Sequence, residues 1–149
     1  MKVKYALVVS LVAVLALVLV AGPALGKTGS ITGGGWFNNF FTENKITFGF
    51  NALPTRDGAE ATAKGQFLLI DHGSKTRMRG TINSIGLAGP ILSWFKGEVS
   101  IDGDAVSYTV NIYDFGEPGL GEGDKITIFI DGMVPTYHGD LGGGNLKRH

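Results

Sequence analysis

AVSYTVNIYDFGEPGLGEGDKITIFID, residues 105–131, is the stretch that decides the fold class. Apolar residues alternate with polar or small ones at both of its ends. One face carries Val106, Tyr108, Val110 and Ile112 in the first run, and Ile126, Ile128 and Ile130 in the second. β-branched and aromatic residues at a period of two are typical of a strand that buries one face. The stretch therefore predicts two half-buried strands joined by a long acidic loop.

Most of the chain before this stretch shows a related pattern. The alternation recurs in residues 45–52, 77–87 and 95–101. Residues 66–71 instead form a nearly continuous apolar run, which predicts a short strand buried on both faces.

Two Asp-Gly pairs predict hairpin turns, because tight hairpins need a positive φ angle that these residues tolerate. Asp102-Gly103 separates two alternating runs, and Asp131-Gly132 leads into a predicted last strand at residues 133–141. Residues 27–149 contain no amphipathic helical run. The prediction is an all-β chain: a single β-sandwich of the jelly-roll type, or a partly closed barrel, with eight or nine mainly antiparallel strands after an N-terminal signal helix.

Residues 1–26 have the pattern of a secretory signal peptide. Lys2 and Lys4 precede an apolar run, Gly22-Pro23 ends it, and Ala24 and Gly26 supply small residues at the two positions that determine cleavage. Cleavage there would leave an all-β domain of residues 27–149, secreted and extracellular or on the cell surface. The alternative is a retained membrane anchor, although no positive cluster follows the apolar run.

The composition of residues 27–149 limits the kinds of partner. These 123 residues suffice for one domain with its own core, which must be stable without disulfides because the chain has no cysteine. They carry 11 basic and 13 acidic residues, a net charge of −2. No basic stripe is interleaved with aromatic residues, so no nucleic-acid partner is predicted.

The acidic loop is the candidate metal site. Asp114, Glu117, Glu122 and Asp124 supply carboxylate oxygens, and the four glycines of the loop let backbone carbonyls turn inward. Calcium prefers six to eight oxygen ligands, and calcium is the one cofactor that the sequence suggests. The spacing is not that of an EF-hand loop, so a solvated acidic turn is the other interpretation.

No pattern of catalytic residues is found. His72, His138 and His149 have no metal-binding spacing, and neither a His-Glu-x-x-His nor a Gly-x-Ser-x-Gly motif occurs. The separation of paired carboxylates in a glycosidase is set by the tertiary structure, so a small extracellular hydrolase or lyase acting on glycans stays open as an alternative.

The start of the domain suggests two kinds of partner. Residues 30–36 contain three glycines and no charge, which predicts an edge strand or a bent one. As an edge strand, it would let copies of the chain self-associate. Trp36, Phe37, Phe40 and Phe41 follow. They are interpreted as core residues or a flap on the core, or, if exposed, as a platform for a surface glycan.

Five short motifs, taken in order, resemble the post-COAP domain family. They are ITGGGW at 31–36, ITFGFNA at 46–52, GQF at 65–67 with DHGS at 71–74, DxGEPG at 114–119 with GD at 123–124, and GGNLxxH at 143–149. The resemblance implies a small all-β module of secreted and cell-surface proteins, often appended to larger ones, and carries over no catalytic residue. Phe115 departs from the family loop, which is usually polar, and residues 88–95 are unusually apolar.

The predicted function is that of a secreted or cell-surface, non-catalytic module that binds a surface glycan or protein or assembles with itself, stabilised by calcium. Besides the glycan hydrolase or lyase, the other alternative is a membrane-anchored accessory subunit. A membrane enters only if the N-terminal helix is not cleaved.

Overall fold

The computed structural model describes residues 29–55, 60–101, 103–116, 123–132 and 134–149. These residues form eight strands: β1 Ile31–Asn38, β2 Lys45–Pro54, β3 Glu60–Asp71, β4 Arg77–Ala88, β5 Leu92–Ile101, β6 Asp104–Tyr113, β7 Lys125–Ile130 and β8 Pro135–Arg148. The predicted signal peptide lies outside the described residues. Within them, no helix is long and apolar enough to cross a membrane.

Each strand pairs antiparallel with the next one, and β8 pairs with β1, so the sheet closes into a barrel. The all-β prediction is confirmed, and of the two predicted architectures the barrel is found, fully closed and not partly open. β8 makes closure possible because its first part pairs with β7 and its second part, from Leu141 to Arg148, pairs with β1. The pairing of β1 with β8 shifts register between Trp36 and Phe37, beside three successive glycines of β8. Bulges and glycines let a sheet bend, so this position allows the sheet to curve and close.

β1 is not an edge strand, so the first of the two alternatives predicted for residues 30–36 is wrong, whereas the register shift after Trp36 fits the second, a bent strand. It is hydrogen-bonded to β2 on one side and to β8 on the other. Its glycines instead allow the backbone of β8 and core side chains to approach β1 closely. A Cβ on Gly35 would lie 2.1 Å from the carbonyl oxygen of Gly143, and one on Gly33 would lie 2.6 Å from the ring of Phe50. Self-association through a free edge of β1 is therefore not available in the closed barrel.

Two tryptophans cover glycines on the outside of the barrel. The Trp36 ring lies over Gly142 and Gly143 of β8, where an added Cβ would come within 2.3 and 2.7 Å of it. The Trp94 ring covers Gly86, its cross-strand partner, in the same way. A large ring over a neighbouring glycine restores the packing that the glycine lacks. Much of the glycine content is therefore a packing requirement.

Six aromatic side chains fill the centre of the barrel. In order of contact they are Phe37, Phe48, Phe50, Phe95, Phe67 and Tyr108. Successive ring centroids are 4.7 to 6.2 Å apart, the separation of packed aromatic pairs. A ligand in this part of the lumen would have to displace these rings, so the outer wall and the barrel ends are the accessible places for a ligand.

The predicted strand faces agree with the structure except in β3. Tyr108, Val110 and Ile112 are buried as predicted, and so are Ile126 and Ile128. In β3, however, only alternate residues face the core. The prediction of a strand buried on both faces is wrong, because the described residues form a single barrel wall with no second layer outside β3.

The two Asp-Gly hairpins differ in length. Ile101 pairs with Asp104, so β5 and β6 are connected by two residues as predicted, and Gly103 has a φ of 92°. Asp102 lies outside the described residues. The second connection spans residues 131–134, and β8 begins at Pro135, two residues later than predicted. Asp131 adopts a φ of 48°, the positive value that the turn requires.

Candidate ligand-binding groove

A groove of about 540 Å³ runs over the outer wall formed by β1, β7 and β8. It is lined by Trp36, Asn38, Phe40, Lys125, His138, Gly139, Asp140 and Gly142. We call it the β8 groove. Barrel closure creates it, because β1 and β8 are the first and last strands and become neighbours only when the sheet closes.

Phe40 forms an exposed aromatic wall of the β8 groove. Its side chain is 76% exposed, and its ring lies edge-on to Phe41 at 5.7 Å and to His138 at 6.3 Å. The half-buried Trp36 ring lies over the glycines of β8, with Lys45 Nζ 4.7 Å from its centroid. The four aromatic residues predicted as core, flap or platform therefore divide: Phe37 is core, Trp36 and Phe40 line the groove, and Phe41 is exposed but does not line it.

Asn39 holds the loop that carries Phe40. It is only 2% exposed, and its Oδ1 accepts hydrogen bonds from the backbone N–H of His138 (3.1 Å) and of Phe41 (3.5 Å). Its Nδ2 donates to Thr42 Oγ1, and the N–H of Phe40 donates to the carbonyl of His138 at 2.8 Å. The loop is thus fastened to β8, which fixes Phe40 in place before any ligand arrives.

Polar side chains of β7 and β8 lie beside these rings. Lys125 Nζ is 3.9 Å from Asp140 Oδ1, an ion pair exposed enough to contribute little to stability. His138 Nδ1 and Thr127 Oγ1 share a hydrogen bond of 2.8 Å. The groove therefore combines aromatic surface with an ammonium group, a carboxylate and an imidazole, a combination suited to a ligand with both apolar and hydroxyl-bearing faces.

Sequence reasoning missed the polar half of this groove. Lys125, His138 and Asp140 lie on β7 and β8 with no recognisable motif, and they are about 100 residues from Trp36 and Phe40. The one local signal is the Asn-Asn-Phe-Phe sequence ending at Phe41, which places two large apolar residues in a turn.

Comparison with protein-family models, with curated proteins and with solved structures finds no match for this chain. The resemblance to the post-COAP domain stays a proposal.

The acidic loop is described only at its two ends. Asp114 Oδ1 accepts a hydrogen bond from Gly116 N–H at 2.9 Å. Asp124 accepts from Phe115 N–H at 3.1 Å and, through its other oxygen, from Leu146 N–H at 3.3 Å. These carboxylates fasten the loop to itself and to β8. Over the residues that the structure describes, no three His, Asp or Glu side chains gather as a metal site would need.

Glu117 and Glu122, the other two predicted calcium ligands, lie outside the described residues. The two described carboxylates alone fall short of the six to eight oxygens that calcium prefers. The calcium site therefore stays a proposal.

A buried carboxylate, Asp71, lies where β3 ends. It is 4% exposed, and its Oδ1 accepts hydrogen bonds from Asn44 Nδ2 (3.0 Å), Gly73 N–H (2.9 Å) and Ser74 N–H (3.1 Å). Burial acts to raise the pKa of Asp71, but the hydrogen bonds from Ser74, Gly73 and Asn44 outweigh it and lower the pKa below its ordinary value. Since Asn44 O in turn accepts from Asn39 N–H, Asp71 helps to hold the loop that carries Phe40.

Proposed function

We propose that this protein is a secreted or cell-surface, non-catalytic binding module whose β8 groove holds a saccharide. The observation that carries the proposal is Phe40, a large apolar side chain that is exposed to water on a loop whose backbone is fastened to β8 through Asn39. Full burial of such a side chain is worth about 1.5–3 kcal/mol, and a ligand that covers it gains part of this free energy. The loop is ordered without the ligand, so little entropy is lost on binding.

The composition of the groove favours a saccharide over a peptide. Aromatic faces cover the apolar faces of sugar rings, while Asn38, Lys125 and Asp140 can exchange hydrogen bonds with hydroxyl groups. The ammonium and the carboxylate carry opposite charges, so the groove does not select for an ionic ligand. A peptide cannot add as a further strand, because β8 and β1 are hydrogen-bonded on both sides.

Phe40→Ala is expected to weaken saccharide binding at least tenfold, about 1.4 kcal/mol, without lowering the melting temperature. Its side chain is mostly exposed, so the fold does not depend on it. Affinity electrophoresis in gels containing soluble cellulose, chitin, xylan or mannan derivatives measures the effect. Phe41→Ala is the matched control, since Phe41 is also exposed, at 54%, but does not line the groove.

Trp36→Ala and Trp94→Ala form a second matched pair, because both rings cover a cross-strand glycine but only Trp36 lines the groove. Both should lose similar stability, and only Trp36→Ala should lose binding. Equal losses of saccharide binding within either pair, or no retardation of the wild type in any gel, would contradict the proposal. New reducing ends released from the same polysaccharides would instead support the hydrolase or lyase.

We also propose that the acidic loop binds calcium, as the sequence suggests. A ligand present at a hundredfold excess over its Kd stabilises the folded form by about 2.7 kcal/mol, so thermal melts with calcium and with chelator should differ by several degrees. Asp114→Asn with Glu117→Gln should abolish the difference between the two melts, because the amides remove the negative charges that would bind calcium. The amide oxygen at position 114 can still accept the hydrogen bond from Gly116 N–H. Asp104→Asn, at the exposed start of β6, is the control. An unchanged melt with chelator after exhaustive dialysis at low salt would leave only a solvated turn.

A further inference from the structure

A second groove, of about 690 Å³, lies on the wall formed by β3, β4 and β5. It is lined by Leu68, Ile70, Arg77, Arg79 and Ser100. We call it the arginine groove. In the barrel order, β4 is four strands away from β8 in either direction, so this groove lies on the opposite wall from the β8 groove.

Strand register builds the arginine groove as two parallel rows. Leu68 pairs with Arg79, and Ile70 pairs with Arg77. Because alternate residues share a face, β3 contributes an aliphatic row and β4 a row of guanidinium groups. Leu68 and Ile70 are half-buried, whereas both arginines are exposed. The groove therefore has an apolar side and a cationic side running along the same direction.

The two guanidinium groups have no ion pair or hydrogen bond to any other residue in the described part of the chain. They are two residues apart on one strand, a spacing of about 6.6–6.8 Å, so their charges repel each other weakly. Glu98, on the outer face of β5, pairs with Thr81 and is not within ion-pair distance of either arginine. Among the residues that the structure describes, the two adjacent positive charges thus have no ion-pair partner, and they lie beside half-buried aliphatic side chains.

We propose that the arginine groove binds an extended segment of a partner protein in which acidic and apolar residues alternate. In an extended peptide, residues i and i+2 are spaced as in a strand, which matches the spacing of Arg77 and Arg79. Side chains at the intervening positions point the opposite way. A peptide lying between the rows would place its carboxylates over β4, where each guanidinium can bind one in bidentate fashion, and its apolar side chains over Leu68 and Ile70.

Other occupants fit the arginine groove less well. A bilayer surface is flat and cannot reach aliphatic side chains at the side of a concave groove. A sulfated polysaccharide would match the arginines but gains no ring stacking from leucine and isoleucine. Residues 1–28 carry Lys2, Lys4 and Lys27 and no acid, so their charge excludes them as well. Backbone pairing is closed to any peptide, since β3 and β4 have neighbours on both sides.

The experiment uses the secreted protein and a fluorescein-labelled peptide, Gly-Asp-Leu-Asp-Leu-Asp-Gly, followed by fluorescence anisotropy at low salt. Wild type is expected to bind it, with affinity that falls as salt is raised. Arg77→Gln and Arg79→Gln should each weaken binding at least fivefold, and the double variant should abolish it. Lys64→Gln removes an exposed positive charge of β3 outside the groove and is the control. Leu68→Ser should weaken binding with no change of charge.

Two further arms separate the alternatives. Replacing the leucines of the peptide by serine should weaken binding as much as Leu68→Ser does. Another outcome is that the protein binds phosphatidylserine vesicles or dextran sulfate in a way that needs the arginines but is unchanged by Leu68→Ser. That result would overturn the peptide proposal in favour of an anionic surface. Light scattering that shows self-association of the wild type, lost in the double arginine variant, would assign the groove to a second copy. Wild-type failure to bind the peptide, or equal binding by the double variant, would also overturn it.

This inference is independent of the saccharide proposal. Phe40→Ala should leave peptide binding unchanged, and the double arginine variant should leave saccharide binding unchanged. Either proposal can therefore fail alone.

Discussion

Gly97→Ala is expected to lower the free energy of unfolding by about 3 kcal/mol or more. A Cβ at position 97 would lie 1.7 Å from the carbonyl oxygen of Thr81 and 2.9 Å from the hydroxyl oxygen of Tyr108. The Thr81 carbonyl belongs to β4 and accepts a hydrogen bond from that hydroxyl at 2.9 Å. Relief of the clash would require β4 and β5 to separate, which breaks barrel pairing.

Gly49→Ala is the matched control for Gly97→Ala. Gly49 lies in β2, and a Cβ added there meets nothing within 4 Å. Alanine restricts the unfolded chain more than glycine does, so this variant should be neutral or more stable by about 0.5 kcal/mol. Urea denaturation of both variants, compared at constant m-value, measures the difference. Similar losses in the two variants would show that Gly97 is not needed for close approach of the strands.

Asp71→Ala is expected to cost about 2–4 kcal/mol of unfolding free energy. It removes a buried carboxylate oxygen that accepts three hydrogen bonds and leaves the N–H groups of Gly73 and Ser74 without that acceptor. Asp71→Asn should cost less, since its amide oxygen can still accept. Asp104→Asn, at an exposed position in a hairpin, should change stability by less than about 0.5 kcal/mol.

The role of Asp71 has a pH signature. Its pKa in the folded protein is lowered below the ordinary value of 3.8, despite burial, by the hydrogen bonds from Ser74, Gly73 and Asn44. The unfolded chain therefore takes up the proton first, so the contribution of Asp71 to stability is complete above about pH 3.8 and is lost as the pH falls through the lower folded-state pKa. Urea titrations from pH 6 to pH 2 should show this acid loss in wild type and a smaller one in Asp71→Asn. Parallel curves would contradict the assignment.

Asp71 also connects stability to the proposed binding site. Its partner Asn44 is hydrogen-bonded to Asn39, and Asn39 fastens the loop that carries Phe40 to β8. Loss of the carboxylate should therefore loosen the β8 groove as well as the barrel end. Saccharide binding by Asp71→Ala, measured well below its melting temperature, is expected to fall, whereas peptide binding in the arginine groove is not.

The sequence by itself determined the class of the fold and the inward face of most strands. The alternation around Tyr108 and Ile128 predicts which side chains are buried because a strand turns successive residues to opposite sides whatever its neighbours are. The two-residue turn at Asp102-Gly103 is equally local, since it depends on the φ angles that adjacent residues tolerate. The sequence shows that the loop carries acidic residues. It does not show which backbone N–H groups donate hydrogen bonds to Asp124.

Only the tertiary structure decided how the strands are joined and what lies between them. A glycine-rich segment such as residues 30–36 is compatible with a bare edge and with a tightly packed interior neighbour, and the choice depends on where β8 lies in space. The same holds for Leu68, whose half-exposed position follows from the absence of a second layer over β3 in the described fold. Both grooves combine residues that are far apart in the sequence or on different strands, such as Trp36 of β1 with Asp140 of β8. Side-chain alternation is set by the local backbone, whereas strand partners are set by closure of the whole sheet, and no short stretch of sequence encodes that.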